Sequence, residues 1–127
     1  MANNLDGSNE PKRLPGVVRA TAHAHGWAIV LDVASDLGCL EGHFPDLAIV
    51  PGVALIGWAE SLAREYLDAT GEVRALEQVK FNQLVRPGQQ LMLTLSQDPD
   101  GAGIDYRFRD PQGERDFASG RLLFTHG

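Results

Sequence analysis

A single histidine followed by a proline-glycine pair is the part of this sequence whose residue types and spacing could do chemistry. His43 lies in the stretch EGHFPDLAIVPGV, with Pro51 and Gly52 eight and nine residues after it. Histidine exchanges protons near neutral pH. If a helix begins at Pro51, the N–H groups around Gly52 and Val53 are unpaired donors that favour a developing negative charge. The spacing predicts acid-base chemistry beside an oxyanion.

The element that must position these donors is a helix that begins at Pro51. Its first two turns are apolar on almost every side, which predicts that the start of the helix is enclosed. Gly71 is the predicted C-cap. Apolar side chains recur at helical spacings at Val53, Leu55, Ile56, Ala59, Leu62, Ala63 and Tyr66.

Strand patterns lie on both sides of this helix. Residues 17–25 alternate apolar and polar side chains, which predicts a strand with one buried face before a turn at Gly26. Residues 27–33 are the predicted return strand, and residues 34–50 a loop. Turns rich in Pro and Gly separate four later strand patterns, at residues 73–85, 90–97, 104–110 and 116–124. The order β-β-α-β-β-β-β predicts an α+β domain, an antiparallel sheet wrapped around one helix.

Composition narrows the function classes. The chain has 17 acidic and 11 basic residues, a net charge of −6, and no basic run, so nucleic acid is not an expected partner. Cys39 has no partner for a disulfide, and the sequence start lacks an apolar signal region, so we predict a cytoplasmic protein. No apolar run is long enough to span a membrane. Residues 1–14 are the predicted flexible tail, and residues 15–127 a single domain.

Several short motifs at fixed spacings indicate a family. The sequence resembles the hot-dog-fold (3R)-hydroxyacyl-acyl-carrier-protein dehydratases over residues 15–124. The helix start PGVALIGW is also similar to the branch found in aryl-polyene type lipid clusters. The motifs that carry the resemblance are the G-H-F-P loop of His43, Pro-Gly-Val at Gly52, Lys80-Phe81, Arg86-Pro87-Gly88 and Ala118-Ser119.

The resemblance implies a reaction and a set of site residues. The reaction is dehydration of a (3R)-hydroxyacyl thioester to the trans-2-enoyl thioester, in fatty-acid or polyene-type lipid biosynthesis, with His43 as the acid-base group. The substrate is carried on the phosphopantetheine of acyl-carrier protein, and neither a metal nor another cofactor is expected. The family forms a homodimer or pairs with a partner hot-dog chain. Substrate contacts are expected from Phe44, Gly52, Val53, Gly57 and Trp58.

One position departs from the family. The family places Glu or Asp on the helix fourteen residues after the histidine, and this chain has Gly57 there. Glu60 is the nearest carboxylate, on roughly the same helix face, and is the candidate second catalytic residue, although an ion pair with Arg64 explains it equally well. Gly57 either makes room for a bulky acyl chain or allows another backbone to approach at a subunit interface.

Three basic residues are candidates for contacting the carrier, namely Lys80, Arg86 and Arg121, because a net-acidic enzyme must meet an acidic carrier through local positive charge. Ordinary solvated basic residues are the simpler alternative.

Two other functions stay open for the chain. One is a hot-dog acyl thioesterase, and the other is a catalytically weak subunit that binds acyl carrier.

Overall fold

Strands on both sides of a single helix form one antiparallel sheet. The computed structural model describes residues 14–33 and 49–125. Within these residues the sheet order is β1-β2-β4-β5-β6-β3, and every neighbouring pair is antiparallel. The predicted α+β architecture is confirmed. Its elements are β1 Gly16–His23, β2 Gly26–Asp32, α1 Gly52–Leu67, β3 Val73–Phe81, β4 Gln90–Gln97, β5 Gly103–Arg109 and β6 Asp116–Phe124.

The core lies between α1 and the inner face of the sheet. α1 packs mainly on β2 and β4 and buries Leu55, Trp58 and Leu62 against them. Complete burial of such a side chain contributes roughly 1.5–3 kcal/mol. Alternate residues of four strands form the facing layer: Ile29, Leu31, Leu91, Leu93, Leu95, Ile104, Tyr106, Phe108, Ala118, Leu122 and Phe124. Because strand side chains alternate, the residues between them point to the outer face.

The predicted turns need glycine at their left-handed positions. Gly88, Gly101 and Gly113 have φ of +89°, +78° and +77°. The Gly101 N–H donates to the Asp98 carbonyl at 2.9 Å, and the Gly113 N–H donates to the Asp110 carbonyl at 2.7 Å. These turns set the register in which β4, β5 and β6 pair.

The prediction for β1 was wrong in one respect. Its alternation predicted one buried face, but every residue except Ala20 is exposed in the single chain. β1 lies at the edge of the sheet, beyond the strands that α1 covers, and its pairing shifts between Val17 and Arg19. The period of two therefore predicted the strand correctly, but it did not predict whether one face of the strand is buried.

Two predicted element ends also require correction. The helix ends at Leu67, and its C-cap is Asp68, which takes the left-handed conformation with φ 56°, and not Gly71. Asp tolerates this region because its short side chain is polar, while Gly71 has φ +79° in the turn that follows. The predicted strand 73–85 ends at Phe81. Beyond it the Asn82 N–H still donates to the Phe117 carbonyl at 2.8 Å, and the chain then leaves the sheet.

Candidate active site

The start of α1 presents unpaired backbone donors. Pro51 is the N-cap, and its carbonyl accepts from the Ala54 N–H at 2.9 Å. No side chain caps this end, and the first turn contains no acidic residue. Among the described residues, the N–H groups of Gly52 and Val53 have no acceptor. These groups and the helix dipole can stabilise an anionic oxygen, as the sequence predicted.

An aromatic ring closes one side of these donors. A Cβ built on Gly52 would lie 2.8 Å from two ring atoms of Phe81, so the ring would have to shift to accommodate any larger residue here. The Val50 N–H donates to the Val85 carbonyl at 2.8 Å, which fixes the chain just before the helix. From the sequence, Phe81 was identified only as part of a motif and was not predicted as a site residue. An aromatic residue in the Lys80-Phe81 motif was the available signal.

One face of α1 points away from the sheet. Val53, Gly57, Glu60 and Arg64 follow at spacings of four, three and four residues, so they lie along this face. Val53 is 78% exposed, so the described residues do not enclose this face at the start of the helix, contrary to expectation. A Cβ on Gly57 would meet no heavy atom within 4 Å. Packing among the described residues therefore does not explain the glycine.

Glu60 forms the ion pair with Arg64 that was the alternative to a catalytic role. Arg64 Nη2 and Nε donate to Glu60 Oε2 at 2.9 and 3.1 Å. The Arg64 guanidinium also lies 5.3 Å from the centre of the Phe124 ring. Both charged side chains are about one-third exposed. The pair holds one carboxylate oxygen and leaves Oε1 without a hydrogen bond to a described residue.

The three basic carrier candidates lie in different surroundings. Lys80 and Arg86 are exposed, and each lies one residue from the site, next to Phe81 and Val85 respectively. The Arg121 guanidinium instead donates to Asp98 and, at 3.1 Å, to Asp105.

These hydrogen bonds from Arg121 hold the pKa of the Asp98 carboxyl below its usual range. They also raise the pKa of Arg121 itself. Arg121 is therefore largely occupied by its neighbours, and its contact with a carrier remains a prediction.

The remaining predicted site residues divide into two groups. His43 and Phe44 lie outside the described residues, so their positions are not part of the structure. Trp58 is described and is 2% exposed, buried in the core on the side of α1 that packs on the sheet. Its position explains the residue as a core side chain, and its contact with substrate remains a prediction.

Residues 14–33 and 49–125 contain neither a candidate metal cluster nor a candidate membrane-spanning helix. No three His, Cys, Asp or Glu side chains in this part of the chain come together in a way that could hold a metal ion. Neither does this part contain a helix long and apolar enough to span a bilayer.

An antiparallel sheet wrapped around one central helix defines a hot-dog fold. Solved structures share it. A chain of the dehydratase heterocomplex ApeI:P from Xenorhabdus doucetiae matches with a TM-score of 0.78 and 26% identity, over 88% of this chain and 98% of that chain. Thioesterase superfamily member 2 from Mus musculus matches with a TM-score of 0.66 over 84% and 85% of the two chains. At 14% identity, the latter shows the fold alone.

Sequence comparison defines the family within this fold. Residues 19–121 match the ApeI-like family, described as ApeI dehydratase. A protein of Caldanaerobacter subterraneus subsp. tengcongensis, 3-hydroxyacyl-[acyl-carrier-protein] dehydratase FabZ, is 32% identical over 104 residues, which are 76% of this chain and 74% of that protein. The chain belongs to the ApeI-like family of hot-dog dehydratases. The predicted family and fold are confirmed.

Proposed function

We propose that the chain dehydrates a (3R)-hydroxyacyl thioester carried on acyl-carrier protein, in fatty-acid or polyene-type lipid biosynthesis. The observation that carries this proposal is the pair of free amides at Gly52 and Val53 in a chain of the ApeI-like family. The FabZ relative is named for the same reaction class, and the ApeI:P complex is named a dehydratase.

The reaction breaks two bonds and forms one double bond. In the proposed mechanism His43 removes the C2 proton, and the Gly52 N–H donates to the thioester oxygen as negative charge develops there. The C3–O bond then breaks, the hydroxyl takes up the proton now held by His43 and leaves as water, and the C2=C3 bond forms. The phenyl ring of Phe81 excludes water from one side of the donors, which strengthens their interaction with the oxyanion.

Glu60 is the proposed group that holds the departing hydroxyl or a bound water. Its free Oε1 is on the same helix face as Gly57, and Arg64 fixes the carboxylate through Oε2. Glu60→Gln should therefore lower kcat at least about tenfold, because a charged hydrogen bond is lost. The free energy of unfolding should change by less than about 0.5 kcal/mol, since the ion pair is partly exposed.

Glu65→Gln is the matched control for Glu60→Gln, because it removes the same charge from an exposed position of the same helix. Steady-state kinetics of both variants, with thermal unfolding, make the comparison. Equal turnover in the two variants would remove Glu60 from the mechanism and leave only its ion pair.

A second hot-dog chain is the proposed cover for the exposed apolar surface. β3 is an edge strand of the sheet, and Leu76, Val79 and Phe81 on it are 36–53% exposed. Val53 and Leu84 extend this surface, and their exposure in a lone chain would be unfavourable. We propose a homodimer, with a different hot-dog chain as the alternative partner. The ApeI:P neighbour is named a heterocomplex, which supports pairing between hot-dog chains.

Gly57 also supports an alternative function. A chain without the helix acid could be the catalytically weak member of a pair that binds acyl carrier, and similarity to the dehydratase heterocomplex ApeI:P favours this alternative over a thioesterase. Mass spectrometry of a carrier loaded with a 3-hydroxyacyl group separates the three functions. Dehydration gives an enoyl carrier lighter by one water, hydrolysis gives the free thiol of the carrier, and a binding subunit leaves the mass unchanged.

The expected mass change for this chain is the loss of water. Appearance of the free carrier thiol would contradict the proposed reaction, and so would an unchanged mass when the chain is tested alone and with a partner hot-dog chain. A cytoplasmic location and the absence of a metal or other cofactor remain predictions of the sequence.

A further inference from the structure

The edge strand β3 has one residue more than the stretch of β6 with which it pairs. Glu77 and Lys80 each pair with one residue of β6. Between these two pairs, Gln78 and Val79 of β3 lie opposite Gly120 alone, and the register shifts there. Two residues opposite one are a β-bulge. We call Gln78 and Val79 the β3 bulge.

The β3 bulge determines which face of the sheet Phe81 occupies. Leu76 pairs with Leu122, a residue of the inner layer. Phe81 pairs with Ala118, which also belongs to the inner layer. Leu76 and Phe81 are five residues apart, and side chains of a regular strand alternate between its faces, so a regular β3 would turn Phe81 to the outer face. The extra residue returns Phe81 to the inner face, where its ring lies against Gly52.

The bulge requires an uncommon backbone conformation. Gln78 has φ 54°, and among the described residues only the helix cap Asp68 shares a positive φ without being glycine. A Cβ disfavours this left-handed region. Residues held in such conformations concentrate at functional sites, where the surrounding structure imposes them. The conformation of Gln78 therefore points to a role for the bulge.

Contacts on both sides confine the extra residue to this place. Before the bulge, Arg121 Nε lies 3.9 Å from Glu77 Oε1. After the bulge, the Asn82 N–H donates to the Phe117 carbonyl at 2.8 Å. Movement of the extra residue along β3 would break one of these contacts.

The residue opposite the bulge has no side chain. Gly120 pairs with Tyr106 of β5, and a Cβ at Gly120 would lie 2.5 Å from Tyr106 Oη. The Tyr106 ring therefore fills the space on the inner face over Gly120. Glycine inside a strand often marks a bulge or a close approach of this kind. The sequences of β5 and β6 are thus matched to the bulge in β3.

We propose that the β3 bulge positions Phe81 at the start of α1, and that Gln78 is a positioning residue for the dehydration. The inference rests on the proposed function, in which the Phe81 ring excludes water from one side of the Gly52 N–H. Gln78 acts through Phe81, because its left-handed backbone brings the ring to the inner face. A water-excluded donor interacts more strongly with the oxyanion.

Gln78→Pro tests the proposal, because proline fixes φ near −65° and so excludes the conformation of the bulge. Proline is tolerated on edge strands, of which β3 is one. In the wild type, NMR should show a nuclear Overhauser contact between the Phe81 ring and the Hα protons of Gly52, and Gln78→Pro should lose it. With a carrier-bound 3-hydroxyacyl substrate, kcat/KM should fall about tenfold, less than the roughly 10²–10³-fold lost with an oxyanion donor itself.

Two further variants separate positioning from a general structural effect. Gln78→Gly is the conservative change, because glycine adopts positive φ readily, and it should keep both the contact and the turnover. Phe81→Ala should lower kcat/KM about as much as Gln78→Pro does. The double variant should lose no more than either single variant, because both changes remove the same contact.

Three results would overturn the proposal: a Phe81–Gly52 contact that persists in Gln78→Pro, a lost contact with unchanged kcat/KM, or losses that add in the double variant. If Gln78→Pro does not fold, Gln78→Val replaces it under the same criteria, because a β-branched residue is also disfavoured at positive φ. If Gln78→Pro loses the contact but the wild type dehydrates nothing, the proposed reaction fails and the placement of Phe81 by the bulge stands.

Discussion

His43→Ala should lower dehydration by roughly 10²–10⁴-fold, the contribution typical of a general acid or base. Alanine cannot remove the C2 proton, so kcat should fall while binding of the carrier persists. The predicted loop position of His43, between the second strand and the helix, implies little loss of core packing. Thermal unfolding of the variant should therefore match that of the wild type, and the measurement is kcat and kcat/KM on a carrier-bound 3-hydroxyacyl substrate.

His25→Ala is the matched control for His43→Ala, because His25 is an exposed histidine in the turn between β1 and β2. It should retain full turnover. A folded His43→Ala protein with wild-type activity would exclude His43 as the acid-base group. The oxyanion donors at the start of α1 would then have to act with another base.

Periodicity and turn residues predicted most of the fold, because both are local properties of the chain. β4 and β5 alternate core residues with outward residues, as Tyr106, Arg107 and Phe108 do on β5. Such alternation does not say which strand lies at an edge. β1 has the same period as the inner strands and is nevertheless exposed on both faces, because cover depends on where the helix lies.

The candidate site was predictable only where it depends on one element. A helix that begins after Pro51 predicts that the N–H groups of Gly52 and Val53 are unpaired. Among the described residues neither of them has an acceptor. The contact of Phe81 with Gly52 depends on the pairing of β3 with β6, which places the end of β3 beside the helix start. Cross-strand register of that kind is not encoded in any local spacing, so residues distant in sequence could not be assigned to one site.

Gly57 is the position where sequence and structure together raise the sharpest question. A glycine inside a helix costs roughly 1 kcal/mol relative to alanine. Nothing in the described chain approaches the place where its Cβ would be, so alanine would fit without a clash. Packing among the described residues therefore does not offset this cost. The acyl chain of the substrate and the backbone of a partner subunit are the two candidates.

Gly57→Glu should preserve the folded chain and lower kcat/KM by roughly 100-fold, since a carboxylate forced into an apolar contact without a partner costs several kcal/mol. Light scattering then distinguishes the two candidates: a monomer indicates that a partner backbone approaches Gly57, and a dimer with raised KM indicates that the acyl chain does.

Gly57→Ala is the matched control, because it adds only a methyl group and should stabilise a lone chain by about 1 kcal/mol. If the partner backbone packs there, Gly57→Ala should weaken the dimer even though it favours the helix, so the two variants must agree.

A rise in turnover of Gly57→Glu would have an equally definite meaning, because the family has Glu or Asp at this position. A dimeric Gly57→Glu protein with turnover above the wild type would show that the site accepts the missing acid, and that Gly57 is not there to provide space.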